Sequence, residues 1–261
     1  MAEKKQHKIV SATTGEQVTA KPATGKKPVI HEAAPVGNAG SLRIGAVVLW
    51  VVALIFEVLA LLVVLGKINL HFLPTLWQLI ILLVLDLICV IIGSQLWKKA
   101  NHIKPASEAN PLKFWLWNNM GVIACVVCFM PIIILMLTNK DLDKKTKAIA
   151  TVVAVIALLI GGVASYDFNP VSQEQQAAAI SALGDENVYW APFGKVYHTH
   201  EDCQALNQSD ELTVGTVEQA IASNRTRLCS FCAKRDAITG VVTDDVDVSN
   251  YEVEETVDPA A

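Results

Sequence analysis

The chain has 261 residues, of which 52% are apolar and only 18% charged, with 21 Lys and Arg against 25 Asp and Glu. Soluble globular domains carry about 25% charge. A uniformly water-soluble protein is therefore excluded, as are a collagen-like chain, a disulfide-dense secreted scaffold (6 Cys) and a chain disordered throughout.

The near-neutral total hides segregation. Residues 1–43 hold seven Lys and Arg against three acids, and residues 241–261 hold seven acids and no base. Residues 1–42 are rich in Lys, Thr, Ala, Gly and Pro and show no apolar period, so a disordered basic tail is expected. Its six lysines would also permit contact with anionic lipid, but they are scattered rather than clustered. The first apolar run starts only after residue 40, too late for a cleavable signal peptide.

Four apolar stretches follow, at 44–66, 73–97, 114–137 and 146–166. Crossing a bilayer core takes about 20 helical residues, so each is read as a transmembrane helix, the fourth being the shortest. Four crossings put both termini on one side. Counting Lys and Arg near the helix ends gives seven on the terminal side (Lys26, Lys27, Arg43, Lys98, Lys99, Lys104, Lys113). The opposite side has five (Lys67, Lys140, Lys144, Lys145, Lys147). The positive-inside rule then predicts a multi-pass protein of the cell membrane with both termini cytoplasmic.

The spans carry stripes of small residues at helical spacing: Ala46, Ala53 and Ala60; Gly121, Cys125 and Cys128; Ala150, Ala154, Ala157, Gly161 and Ser165. Small faces let membrane helices approach closely, which predicts a compact four-helix bundle. Two carboxyls, Glu57 and Asp86, fall mid-span on neighbouring helices with no Lys or Arg inside any span except Lys147 at the edge of the fourth. Burial at that depth favours their neutral forms, either as a hydrogen-bonded pair fixing helix register or as a proton or cation site. Cys89 and the C-x-x-C at Cys125 and Cys128 lie in apolar surroundings and read as small packing residues. Pro131 is the clear helix breaker inside a span.

Composition changes after Tyr166. Residues 167–187 read as a juxtamembrane linker with a short helix at 171–183, stopped by Gly184. Residues 188–236 read as a separate module. Val188–Trp190 and Val196–Tyr197 have strand character around a Pro192–Gly194 turn, which predicts a hairpin. Thr216 and Gln219 form a capping-box signature for a helix that buries Ala220 and Ile221. So few residues make a marginal apolar core, and small domains of this kind need a staple.

The pattern H-x4-C-x25-C-x2-C supplies one: a His, Cys203, Cys229 and Cys232 as tetrahedral zinc ligands. Three thiolates on Zn²⁺ leave one net negative charge, for which Lys195, Arg225, Arg227 and Lys234 are candidate counter-charges. Disulfides would leave one of the three cysteines over. Spacing alone leaves both His198 and His200 open. Residues 237–261 read as an acidic disordered tail.

The segment G-K-V-Y-H…C-x-x-L…C-x-x-C, from Gly194 to Cys232, resembles a short bacterial His/Cys zinc-binding module appended to nucleases and membrane proteins. It is distantly similar to the metal-binding domain of the Ada DNA-repair family. The resemblance covers about 45 residues and implies His198, Cys203, Cys229 and Cys232 as ligands. The chain departs from the Ada pattern in using His in the first pair, and it has no alkyltransferase motif, so methyl transfer is not implied. The whole chain resembles bacterial multi-pass membrane proteins.

These readings predict an all-α transmembrane four-helix bundle with a small C-terminal α+β zinc-stapled domain. The bilayer is the expected partner of the bundle, and an unidentified protein that of the module. Between Val188 and Arg235 five bases balance five acids, so nucleic acid is not expected. The favoured function is a noncatalytic, membrane-anchored zinc module for interaction or sensing. One alternative is a small transporter or channel using Glu57 and Asp86. Another is an enzyme with an open zinc position and Glu201 as base; no H-E-x-x-H, P-loop or G-x-S-x-G accompanies it.

Overall fold

The computed structural model describes residues 8–11, 17–18, 36–69, 73–206, 209 and 211–249. These form two compact units, Asn38–Pro170 and a second made of the N-terminal segment with Val171 onward.

The first unit is four helices: α1 Ala39–Val64, α2 Thr75–Ile103, α3 Pro111–Thr138 and α4 Lys144–Ser165. All four are long and apolar enough to cross a membrane. Side-chain acceptors start three of them: Asn38 caps α1, Asn110 caps α3 ahead of Pro111, and Asp143 caps α4. The small residues face inward. Ala46, Ala53, Cys125, Ala150 and Ala154 are wholly buried, while Ile44, Val48, Val58, Leu159 and Val163 point outward. That inversion of a soluble core is what lipid solvation allows, because helix association there depends on close packing. Gly121 and Gly161 mark the tightest approaches. A Cβ on Gly121 would lie 2.7 Å from Ser94 Oγ, and one on Gly161 2.7 Å from Cys125 Sγ. Ser165 Oγ donates to Ser94 Oγ at 2.9 Å in the same layer.

One end of this unit holds an aromatic and polar cluster. Trp97 stacks between Trp50 and Trp117 at 5.4 and 5.5 Å, and its indole N–H donates to the Trp117 carbonyl. The Arg43 guanidinium lies over the Trp97 and Trp117 rings and donates to the Lys104 carbonyl.

The second unit contains helix α5 Gln173–Leu183, then β3 Val188–Trp190, β4 Val196–Tyr197, a 3-10 turn Gln204–Leu206, β5 Glu211–Gly215, α6 Val217–Ala222, β6 Arg227–Leu228 and α7 Ser230–Arg235. Capping boxes start α5 (Ser172 with Gln175) and α6 (Thr216 with Gln219), the latter as the sequence indicates. The core gathers Val188, Trp190, Tyr197, Leu206, Leu212, Val214, Ile221 and Leu228 around the three cysteines of the module.

Three features depart from the sequence reading. First, the expected hairpin is not a two-stranded ladder. β3 pairs antiparallel with β5, and β4 pairs parallel with β6. The two arms meet only at a Tyr189–His198 bridge, with Tyr189 N–H donating at 2.7 Å and His198 N–H at 2.8 Å. Both arms take their ladder partners from residues 211–228 instead. Second, part of the segment read as a disordered tail is strand. β1 Lys8–Ser11 runs parallel to β5 in the register Lys8↔Glu211 to Ser11↔Val214, and β2 Gln17–Val18 pairs antiparallel with β1. Residues 1–7, 12–16 and 19–35 of that segment lie outside the described residues. Third, the module runs past 236. Thr243 bridges Leu228, Leu228 N–H donates to the Val242 carbonyl, and Asp244 Oδ1 accepts from Ser230 N–H at 2.8 Å. The acidic end at 250–261 lies outside the described residues.

Candidate metal centre

Each ligand candidate is positioned by a different local device. His198 follows β4 and is fixed by its two backbone bonds to Tyr189. Cys203 opens the 3-10 turn, accepting the Leu206 N–H at its carbonyl. Cys229 sits at the N-cap of α7 with its N–H donated to the Tyr197 carbonyl, which ties the end of β6 to the end of β4. Cys232 lies in the first turn of α7, so C-x-x-C places both sulfurs on one side of a helix start.

The four side chains converge. Their ligand atoms all lie within 4.8 Å of one another and all four residues are buried. Cys203 Sγ is 3.9 Å from Cys229 Sγ, and Cys232 Sγ is 3.8 Å from His198 Nδ1. Thiolates at about 2.3 Å from a tetrahedral ion stand about 3.8 Å apart, so the cage has the size of one metal ion. Every cysteine is a free thiol. A buried His198/Cys203/Cys229/Cys232 cluster that could hold a metal ion is therefore present.

His200 takes no part. Its Nε2 is 2.6 Å from Asp236 Oδ1, and Asp236 Oδ2 accepts from Thr199 Oγ1. Glu201 is exposed.

The thiols of the cage are electrostatically coupled. The three thiols are too close to ionise independently. Hydrogen bonds from Cys203 and Cys229, with help from His198, hold the Cys232 thiol well below its usual range. Hydrogen bonds to Cys229 and Cys232, with burial, push Cys203 well above it. A divalent ion held there would accept all three as thiolates.

The expected arginine and lysine counter-charges are committed elsewhere. Arg225 donates to the carbonyls of Ala191, Pro192 and Ser223. Arg227 faces Asp245, and Lys234 donates to the carbonyls of Val248 and Ser249. Lys195 is exposed. The backbone N–H groups of Ala205 and Cys232 favour the thiolate forms of Cys203 and Cys229 instead. The sequence offered no signal for this, because backbone donors have no residue type.

The second constellation lies in the helical unit. Glu57 and Asp86 are 3% and 1% exposed. Glu57 Oε1 accepts the Ile132 N–H at 3.0 Å. Ile132 directly follows Pro131, the proline inside α3, so the helix breaker and the carboxyl meet at one point of the chain. Glu57 Oε2 and both Asp86 oxygens have no hydrogen-bond partner among the described residues. Cys125 donates to the Leu158 carbonyl and acts as a packing residue, as read.

A third pair was not visible in the sequence. His102 Nε2 lies 2.9 Å from Asp167 Oδ2, both side chains 4% exposed. Burial pushes the Asp167 carboxyl up. The His102 hydrogen bond and charge, the Asn169 N–H and Lys98 pull it back below its ordinary value.

Comparison with family models, curated proteins and solved structures finds no match. The likeness to the Ada metal-binding domain thus rests on the Gly194–Cys232 motif itself.

Proposed function

We propose that this is a multi-pass membrane protein whose C-terminal module binds one structural zinc ion through His198, Cys203, Cys229 and Cys232. The module serves interaction or sensing rather than catalysis. The observation that carries this reading is the convergence of one imidazole and three thiols within 4.8 Å inside the core of a small domain. The donor set favours zinc: thiolate and imidazole in a tetrahedral cage are its preferred ligands. Four protein ligands would leave no open position for a reacting water, which argues against the enzyme alternative with Glu201. The resemblance to a His/Cys zinc-binding module points the same way.

Both termini are assigned to one side of the membrane. Supporting this, β1 precedes the four long helices and β5 follows them, yet both lie in one sheet. Their pairing requires an even number of crossings between them. The cytoplasmic side suits reduced zinc-ligating thiols and agrees with the Lys and Arg count. The test is protease protection in sealed inverted vesicles of the producing cell. Cleavage at both ends, with the helices protected, is expected.

A second reading, passage of protons or cations through the bundle, draws on the three buried carboxyl oxygens that have no hydrogen-bond partner among the described residues. Under that reading the variant Glu57→Gln/Asp86→Asn abolishes flux into proteoliposomes. Under the structural reading no flux is present to lose and the variant alters thermal stability alone.

A further inference from the structure

We propose that the metal centre controls whether the N-terminal segment is held. The strand pairing Lys8–Ser11 with Glu211–Gly215 forms when the module is loaded and is released when the metal is lost. This rests on the zinc reading above and gives that site a regulatory output.

The chain of contacts is short and continuous. The residue whose ring enters the cage, His198, is bonded through its backbone to Tyr189 in β3. β3 sets the register of β5: Val188↔Gly215, Tyr189↔Val214 and Trp190↔Thr213. β5 in turn carries β1, residue for residue from Lys8↔Glu211 to Ser11↔Val214. Leu212 and Val214 of β5 are buried in the same core as Cys203, Cys229 and Cys232.

A domain of this size loses its fold when a structural ion is removed, since binding free energy there is folding free energy. Three thiols and an imidazole would then be left in the core without the ion that reconciles them. β1 has no independent means of staying ordered. Its other neighbour, β2, spans two residues, and an isolated two-stranded ribbon is marginal in water. The β5 edge is thus a strand-docking surface whose existence depends on the metal, and its occupant is this chain's own N-terminal segment. That segment, residues 1–37, carries six lysines against three acids. Metal loss would convert a tethered basic segment into one able to engage an acidic surface.

The coupling is reciprocal in free energy, so undocking β1 weakens metal binding by the same factor, but it removes no ligand. The ligands lie in the β3–α7 region, so disrupting β1 leaves the cage intact.

The experiment is hydrogen exchange with mass spectrometry on the full chain in nanodiscs, with metal content measured on the same sample. Three states are compared: as purified, after chelation, and as the variant Val10→Pro. Val10 lies in register between Gln17 and Thr213, so proline there breaks the β1 ladder. Chelation is expected to lower protection at residues 9–11 about tenfold or more, together with residues 211–215, while α1–α4 stay protected. Val10→Pro is expected to lower protection at 9 and 11 with metal content unchanged. Persistent protection at 9–11 after the metal has gone overturns the coupling alone. A preparation that binds no metal overturns the zinc reading with it. Loss of metal in Val10→Pro overturns the claim that the four-ligand cage survives without β1.

Discussion

The bundle and the module are built from overlapping residue types on opposite principles. In the bundle, Ala46, Ala53, Ala150 and Ala154 fill the interior and Ile, Val and Leu face outward. In the module, Trp190, Tyr197, Leu212 and Leu228 are inside. Cysteine shows the contrast most directly. Cys125 lies beside Gly161 and Leu158, where a small side chain lets two helices close. Cys203, Cys229 and Cys232 instead face one another and a histidine. One unit is packed by how little its interior side chains occupy; the other gathers interior side chains that could hold a metal ion.

That difference predicts different vulnerabilities. The largest effect should come from the metal ligands. Structural zinc sites contribute about 10–16 kcal/mol to folding small domains. Cys229→Ser or exhaustive chelation should therefore unfold the module outright while the helices persist. Near-ultraviolet circular dichroism, with proteolysis mapped to residues beyond Val171, would show it. A module that stays folded would mean its apolar core suffices.

Next come the close approaches in the bundle, which the module should not feel. Gly161→Leu drives a side chain into Cys125 and Leu87 and should cost about 1–3 kcal/mol, the range for overpacking. The check is thermal unfolding in detergent, with metal content unchanged. Glu57→Ala should cost a similar about 1–3 kcal/mol, because the Ile132 N–H loses its acceptor and a void opens. Glu57→Gln keeps an acceptor and should cost less. Equal losses in the two variants would remove the hydrogen bond from the account.

A smaller, pH-dependent effect belongs to Asp167. Its carboxyl is held below the ordinary value of 3.8. A lowered carboxyl contributes stability that is complete above its unfolded value and is lost as pH falls through its folded one. Asp167→Asn should therefore lower Tm at pH 7, and the gap to the parent should close only as the pH drops below 3.8. A gap that is constant with pH would assign the residue a packing role. Smallest of all, His200→Ala removes a partly exposed pair with Asp236 and should change stability by about 0–1 kcal/mol.

Much of this architecture is written in local pattern. The small stripes fall inward as spaced, because helical periodicity needs no knowledge of partners. Thr216 and Gln219 cap α6 as their spacing indicates. The four ligand positions meet because a C-x-x-C at a helix start and a His and Cys after a strand are compact devices. What pattern could not supply was long-range pairing. β1 joins β5 across some 200 positions, β4 joins β6 rather than only its hairpin neighbour, and Asp244 reaches back to Ser230. His102 and Asp167 are 65 residues apart, each unremarkable in its own segment. The choice between His198 and His200 was likewise tertiary: Asp236, from the far end of the module, engages His200.

The most direct test of the central claim is metal content. The full chain would be purified in detergent without added metal or chelator and compared with His198→Ala and His200→Ala by native mass spectrometry. One zinc per chain, lost in His198→Ala and retained in His200→Ala, is the predicted result. A folded, metal-free parent chain, or equal zinc in both variants, would contradict the four-ligand centre on which the account rests.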